Sequence, residues 1–176
     1  MKNSNNNLNK EKAKQYEQLH SSLSGLLDGE SHVIAGLSNA SSLLYNTLEH
    51  VNWAGFYLVH NEELLLGPFQ GNVACVHIGF GKGVCGTAYK AKETILVPDV
   101  HDFPGHIACD SASLSEIVIP IFYKDKVVGV LDIDSPILDR FDEDDKKGLE
   151  GLVRILETSL DFADFKYWFN NKIYPS

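Results

Sequence analysis

The sequence predicts a single α+β domain with an antiparallel β-sheet, because helix-like and strand-like segments follow one another in separate blocks. Two segments with apolar residues at helical spacing come first, at roughly 8–27 and 31–49, and about six short β-rich runs follow. A last amphipathic pattern over 142–160 predicts one more helix, with acidic residues in its first turn. This order favours an antiparallel α+β domain over a doubly wound parallel sheet.

The β-rich runs are short and bounded by turn residues, as is typical of successive antiparallel strands. They cover 53–59, 64–66, 74–78, 95–97, 116–123 and 127–134. The last two runs flank Lys124-Asp125-Lys126, which predicts a hairpin. A short helix is expected from Val84 to Ala91. The long connection after 97 is rich in Asp, His, Gly and Ser, which is typical of a functional loop.

Length and composition predict one domain, since 176 residues with 44% hydrophobic content suffice for one continuous core. We divide the chain into an Asn-rich start over 1–7, expected to be disordered, a domain over 8–161 and an aromatic tail over 162–176. The aromatic residues of the tail could pack against the domain or against a second copy of the chain, so a homodimer is one of the two possibilities.

The charge balance argues against a nucleic-acid partner, because a net charge of −9 provides no clustered Lys and Arg to neutralise phosphates. No apolar run approaches the roughly 20 residues that cross a membrane, and the polar N-terminus lacks the apolar centre of a secretion signal. We therefore expect a cytoplasmic protein that acts on a small molecule or a protein partner.

Three cysteines stand at positions 75, 85 and 109, and in a reducing compartment they are expected to be mostly thiols. Cys109 lies in the polar loop beside Asp110, one helical turn after His106, and is predicted to be accessible. Cys85 is expected to open a helix, where free N–H groups favour a thiolate or another anion. Cys75 falls in an alternating run, where burial and a redox role are both plausible. Pairing among the three stays open, since sequence gives no distances.

Two other interpretations of these segments are available. Cys75 and His77, together with His106 and Cys109, are zinc-ligand residue types, but their spacing is not that of familiar zinc modules. Gly81, Gly83 and Gly86 fit a dinucleotide-binding pattern, but no βαβ unit encloses them, so they more naturally shape a tight helix start.

Acidic residues on the predicted hairpin are candidates for binding and catalysis. Asp132 and Asp134 alternate on one strand and project from the same face, where they could bind an ammonium group; the alternative is a solvent-exposed strand end. Glu116 begins the preceding strand and could serve as a proton donor if a pocket raises its pKa. Trp53 begins the first strand, as a core anchor or as a wall for a small apolar group, while Phe56 and Tyr57 are assigned to packing.

Several segments together resemble the free methionine-(R)-sulfoxide reductase family, which has the GAF fold. They are NWAGFY, GPFQGNVAC, GFGKGVCGTA, VPDVHDFPGHIACDSASLSEIVIP and GVLDIDSP followed by FDEDD, in the family's order over about Val51 to Leu160. The resemblance implies a single GAF domain with a six-stranded antiparallel sheet and helices packed on it. It also implies an enclosed pocket for free methionine sulfoxide and no metal or organic cofactor.

The same resemblance implies roles for individual residues. Cys109 matches the cysteine that attacks the sulfoxide, Cys75 the one that resolves the resulting sulfenic acid as a disulfide, and Cys85 the third pocket cysteine. Glu116 matches the carboxylate at the sulfoxide oxygen, and Trp53 matches the aromatic beside the methyl group. Asp132 and Asp134 match the pair that receives the substrate's amino group. Thioredoxin is the implied reductant, and a GAF module that senses a small molecule without turnover is the alternative function.

Overall fold

The computed structural model describes residues 2–105 and 112–163 of the chain, with side chains described from residue 10 onward. Its helices are α1 (Lys2–Leu26), α2 (Val33–Thr47), α3 (Gly83–Ala91) and α4 (Glu143–Ser159), and a short 3-10 helix spans Val100–Asp102. Its strands are β1 (Trp53–His60), β2 (Glu63–Gly71), β3 (His77–Gly79), β4 (Ile95–Val97), β5 (Ser115–Tyr123) and β6 (Lys126–Ser135).

The six strands form one antiparallel sheet in the order β3-β2-β1-β6-β5-β4. The predicted α+β class with a six-stranded antiparallel sheet is therefore confirmed. The predicted hairpin between β5 and β6 is also confirmed, and Lys124 and Asp125 at its turn have positive φ values of 48° and 62°. Two successive residues with positive φ are typical of the tight hairpin turns whose twist matches that of the paired strands.

One face of the sheet is covered by α1, α2 and α4, which together enclose the larger hydrophobic core. The strands contribute every second residue to this core, and each helix contributes an apolar stripe, because side chains repeat every two residues in a strand and about every 3.6 residues in a helix. Its fully buried members include Leu19, Leu23, Leu37, Leu44, Phe56, Ile117, Ile121, Leu131, Ile133, Leu149 and Leu156. This layer gives the sheet a fixed support.

The opposite face of the sheet packs against α3 and the segment that precedes it. Its smaller apolar cluster includes Trp53, Tyr57, Val118 and Val130 from the central strands and Cys85 from α3. The side chains that alternate with the helix-packed core therefore project from the other face of the sheet into this second cluster. This second face carries the candidate site.

A buried ionic network fixes the start of α4. Asp142 and Asp145 form a capping box, in which each side chain accepts a hydrogen bond from the other's backbone N–H. Asp145, whose side chain is 1% exposed, also accepts from Lys12 Nζ at 2.8 Å, from Tyr16 Oη at 2.7 Å and from Arg140 Nη1 at 3.3 Å. The predicted acid-capped helix start is confirmed, and the network joins α1 to α4.

The structure differs from the sequence prediction at two places. Helix α1 begins at Lys2, so helical backbone extends through the Asn-rich segment for which the sequence predicts no helix, and Tyr16 is the first buried apolar residue among the side chains that the structure describes. The run at 74–78 is a strand only from His77, so Cys75 precedes β3. Among the described residues, no helix combines the length and hydrophobicity of a membrane span. The predicted domain boundaries stay predictions.

Candidate active site

Polar side chains occupy equivalent positions on three neighbouring strands of the second face. Trp53 on β1 lies opposite Asp134 on β6, and Asp134 lies opposite Glu116 on β5. Two residues before Asp134 on β6, and on the same face, Asp132 lies opposite Gly55. Because residues paired across antiparallel strands project from the same face, one aromatic ring and three carboxyl groups converge. We call the space bounded by Trp53, Glu116, Asp132, Asp134 and Cys85 the acidic pocket.

Glycine at position 55 makes room for the indole ring of this pocket. A Cβ atom at Gly55 would lie 2.6 Å from Cη2 of Trp53 and 2.3 Å from Cβ of Phe69, closer than real side chains approach. The Trp53 ring stacks on Phe69 at 5.3 Å between centroids, with an angle of 14° between the planes. Trp53 is only 2% exposed, so the ring forms a fixed wall of the pocket.

Cys85 contacts both buried carboxyl groups of the pocket. Its thiol donates to Asp132 Oδ2 at 3.2 Å and lies 4.0 Å from Glu116 Oε1, and all three side chains are buried. Burial, together with the nearby Asp132 and Glu116 carboxylates, raises the pKa of Cys85 well above its ordinary value. Cys85 lies in the first turn of α3, as the sequence predicts, but the raised pKa disfavours the thiolate that a helix start would favour. Desolvation and two acids outweigh the partial positive charge of the helix N-terminus.

The two buried carboxyl groups also shift each other's protonation. Burial, with the charges of Asp132 and Asp134, raises the pKa of Glu116 well above the usual range of a carboxyl group. Burial raises the pKa of Asp132 to about 6, although hydrogen bonds from Cys85 and Glu116 act in the opposite direction. Of the two groups, Glu116 is therefore the one that favours its protonated form, and Asp132 is the one that favours the negative charge.

One oxygen of this charged group has no hydrogen-bond partner. Asp132 Oδ1 is buried without a donor among the described residues, whereas Oδ2 accepts from Cys85. A buried carboxylate oxygen without a donor is costly, and the cost falls when a cation or a donor occupies the pocket. The prediction that Asp132 and Asp134 share a face agrees with their register, and the solvent-exposed alternative fails for Asp132, which is 6% exposed.

The start of α3, which carries Cys85, depends on glycines. Gly81 and Gly83 have φ values of 72° and 58°, in the region that favours glycine. A Cβ at Gly86 would lie 2.4 Å from the carbonyl oxygen of Gly79, so the chain closes tightly around this turn. The interpretation of these glycines as a tight helix start is confirmed, and the sheet around them is antiparallel, unlike that of a dinucleotide-binding unit.

Two aromatic residues of β1 hold the segment that contains Cys75. Trp53 Nε1 donates to the carbonyl oxygen of Asn72, and Tyr57 Oη donates to the carbonyl oxygen of Cys75, both at 3.1 Å. The two rings stack with their centroids 5.9 Å apart. The sequence predicts only a packing role for Tyr57 and does not predict its hydrogen bond to the backbone of Cys75. The available signal was the spacing of four residues, which places both aromatic residues on one face of β1.

Cys75 is half-buried and is in a disulfide bond, whereas Cys85 is a free thiol. The expectation that the cysteines are mostly thiols therefore does not hold for Cys75. His77 is exposed, and its Nδ1 lies 2.9 Å from Glu63 Oε1. A cysteine in a disulfide has no thiolate to offer a metal, so Cys75 is not available as a zinc ligand in this state. His106 and Cys109 lie outside the described residues.

Three donor groups in the pocket are of the kinds that bind a metal ion. The thiol of Cys85 and one carboxylate oxygen each from Glu116 and Asp132 lie within 4.8 Å of one another. The pocket as a whole combines an aromatic wall, a carboxyl group that favours its protonated form and a carboxylate with a free oxygen. The disulfide-bonded Cys75 lies on the adjacent segment. Such a site can bind a small zwitterion or cation and can supply a proton to it.

The fold is that of a GAF domain, and residues 36–161 match the GAF domain family. The chain is 49% identical over 154 residues to the free methionine-R-sulfoxide reductase of Escherichia coli (strain K12), covering 88% of this chain and 93% of that protein. This chain belongs to the free methionine-R-sulfoxide reductase family, whose members are oxidoreductases.

Solved structures agree with this assignment. The reduced form of fRMsr from Staphylococcus aureus superimposes with a TM-score of 0.81 and 57% identity, over 83% of this chain and 95% of that one. Free methionine-R-sulfoxide reductase from Neisseria meningitidis, solved in complex with its substrate, gives a TM-score of 0.81 and 43% identity, over 84% and 89% of the two chains.

Proposed function

We propose that this chain reduces the R epimer of free methionine sulfoxide to methionine. The observation that carries the proposal is the acidic pocket, where a buried proton-bearing carboxyl group and a buried carboxylate face an aromatic wall beside the segment of Cys75. Membership of the reductase family, and a relative solved with its substrate, support the same activity.

Asp132 and Asp134 are assigned to the ammonium group of the substrate. The free Oδ1 atom of Asp132 supports this role, because a charged donor would satisfy it inside the pocket. A peptide-bound methionine sulfoxide has no ammonium group and would leave that oxygen without a partner, which favours the free amino acid. The Trp53 ring is assigned to the methyl group on sulfur, since it is buried and fixed by stacking on Phe69.

Reduction transfers the sulfoxide oxygen to an enzyme thiol. In the proposed step, the Cys109 thiol attacks at the sulfoxide sulfur while Glu116 donates a proton to the oxygen, which makes that oxygen a better leaving group. Attack forms an S–S bond between Cys109 and the substrate. The protonated oxygen then moves to the Cys109 sulfur while the S–S bond and the substrate S–O bond break, which leaves an electron pair on the sulfur of methionine and a sulfenic acid on Cys109. The thiol proton of Cys109 replaces the one that Glu116 gave. The raised pKa of Glu116 supports its role as the donor.

Cys75 is assigned as the residue that resolves the sulfenic acid. Its thiol attacks the sulfenic sulfur, a disulfide forms with Cys109, and water leaves. Cys75 is in a disulfide and Cys85 is a free thiol, which supports Cys75 rather than Cys85 as the resolving residue. The raised pKa of Cys85 disfavours it as a nucleophile. An external dithiol protein of the thioredoxin kind, in the cytoplasm, then restores both thiols.

The test measures methionine released from the separate R and S sulfoxides of the free amino acid, with dithiothreitol as the reductant. Wild type is compared with Cys109→Ser and Cys75→Ser. We expect release from the R epimer by wild type, none by Cys109→Ser, and a single equivalent by Cys75→Ser when the reductant is thioredoxin. Folded wild-type protein that releases no methionine would instead support the GAF module that binds a small molecule without turnover.

A further inference from the structure

The mechanism proposed above leaves the Cys85 thiol without a redox step. Nevertheless it lies in the acidic pocket, 3% exposed, in direct contact with Asp132 and within 4.0 Å of Glu116. An ammonium group needs oxygen acceptors and gains little from a neighbouring sulfur. A thiol between two carboxyl groups is, in contrast, a donor set that binds zinc and other thiophilic divalent cations.

The spacing of the three donor atoms matches that of zinc ligands. Zn–S and Zn–O bonds of about 2.3 and 2.1 Å at a tetrahedral angle place sulfur and oxygen about 3.6 Å apart. The distances from Cys85 Sγ to Asp132 Oδ2 and Glu116 Oε1 are 3.2 and 4.0 Å, on either side of that value. No donor atom of the three lies more than 4.8 Å from another. Small side-chain rotations, together with release of the protons of Cys85 and Glu116 as the metal binds, would allow the three donors to surround an ion.

A second observation points to a ligand at the same place. Asp132 Oδ1 is buried and has no hydrogen-bond partner, and it belongs to the carboxylate that Cys85 contacts. We propose that Cys85, Glu116 and Asp132 form a binding site for Zn²⁺, which competes there with the substrate's ammonium group. Zinc would act on this protein as an inhibitor and not as a cofactor.

Competition follows from the shared carboxylate. An ion held by Cys85, Glu116 and Asp132 Oδ2 and an ammonium group at Asp132 Oδ1 would share one carboxylate, and two cations at that distance in a buried site repel each other strongly. The ion would also engage the carboxyl group that is assigned to proton donation. The occupied pocket therefore loses substrate affinity, and zinc dissociation restores it.

Zinc binding can be measured without any turnover. The double variant Cys75→Ser/Cys109→Ser retains Cys85 as its one cysteine, so the thiols assigned to redox chemistry cannot contribute. Zn²⁺ is titrated against a chromophoric chelator, and Co²⁺ is used to detect a thiolate-to-metal charge-transfer band. We expect one Zn²⁺ per chain, a Co²⁺ band, and weaker apparent zinc affinity when free methionine is present.

Further substitutions in the double variant locate the site. Adding Cys85→Ser is expected to remove the cobalt band and to weaken zinc binding by at least the 10- to 100-fold that loss of an outer-sphere partner costs. Glu116→Gln should weaken it similarly, whereas Asp144→Asn, at a half-buried carboxylate of α4 outside the acidic pocket, should not change it. Circular dichroism checks that each variant is folded.

Three outcomes would overturn the inference. They are no zinc binding by the folded double variant at micromolar zinc, binding that Cys85→Ser leaves within threefold, and binding that methionine does not weaken. Because these measurements use protein that lacks Cys109, they are independent of the proposed reductase activity. Failure of that activity would appear in the methionine-release assay and not in the zinc titration.

Discussion

The phenol of Tyr57 donates a hydrogen bond to the backbone carbonyl of Cys75 at 3.1 Å. Tyr57 stands on the central strand β1, and Cys75 stands on the irregular segment before β3. Burial, with the charges of Asp132 and Cys85, raises the pKa of Tyr57, so the phenol keeps the proton that it donates. A rigid strand thus sets the position of a cysteine that is in a disulfide.

Tyr57→Phe should slow disulfide formation more than it slows methionine release. The variant keeps the ring and its stacking on Trp53 but loses a hydrogen bond worth about 1 kcal/mol, which corresponds to roughly fivefold. Single-turnover methionine release should change little, and the rate at which free thiols disappear should fall. Tyr16→Phe is the matched control, since its phenol contacts Asp145 on the other side of the sheet. Equal loss in both steps would contradict the positioning role.

Substrate affinity should fall at acidic pH because Asp132 loses its charge. Its pKa in the folded protein is about 6, so the carboxylate that would bind an ammonium group is mostly protonated below that value. We expect 1/KM for free methionine (R)-sulfoxide to rise between about pH 5 and 7, with EDTA present to keep the pocket free of metal. Asp132→Asn should raise KM by about 10- to 100-fold and flatten this dependence. A wild-type pH profile retained by Asp132→Asn would contradict the assignment.

Glu116→Gln should lower kcat yet stabilise the fold at neutral and alkaline pH. The folded-state pKa of Glu116 is raised, so the folded protein binds a proton that the unfolded chain releases, and folding stability falls as pH rises above the ordinary carboxyl pKa. Removal of the ionisable group removes this penalty. The gain in Tm over wild type should therefore be larger at pH 8 than at pH 4.5, measured by thermal denaturation in EDTA. A gain that does not vary with pH would contradict this account.

Asp145→Ala should destabilise the domain without altering the acidic pocket. The substitution leaves Lys12, Arg140 and Tyr16 without their shared buried partner, and breaking such a network costs about 3–5 kcal/mol. Urea denaturation measures the loss. Asp144→Ala is the control, because the ion pair of Asp144 with the exposed Lys147, at 3.8 Å, is worth well under 1 kcal/mol. KM of the folded fraction should be unchanged.

Local patterns were enough to predict the elements that carry the acidic pocket. The alternation of Asp132 and Asp134 gave the shared face, and the acidic run before α4 gave its cap. Contacts between distant parts of the chain were not predictable in this way. The opposition of Glu116 to Asp134 depends on strand register, and the contact of Cys85 with Asp132 joins residues 47 positions apart.

The cysteines show why local reasoning failed at single residues. For Cys85, the helix N-terminus favoured a thiolate, but the buried carboxyl groups that oppose it come from other strands. For Cys75, the alternating run 74–78 suggested a strand, but the backbone carbonyl of Cys75 accepts from the Tyr57 side chain. The Tyr57 hydroxyl donates to a backbone carbonyl that a neighbouring strand would otherwise bond. A sequence pattern does not show when a distant side chain replaces a backbone partner in this way.

The pairing of β5 with β6 places a constraint on changes in chain length. Glu116 and Asp134 face each other because eighteen positions of chain fold back through the turn at Lys124 and Asp125. One residue inserted between Glu116 and that turn would rotate the glutamate to the opposite side of the sheet, among the leucines packed by the helices. Single-residue insertions and deletions within this hairpin should therefore be eliminated during evolution, while substitutions at its exposed positions are tolerated.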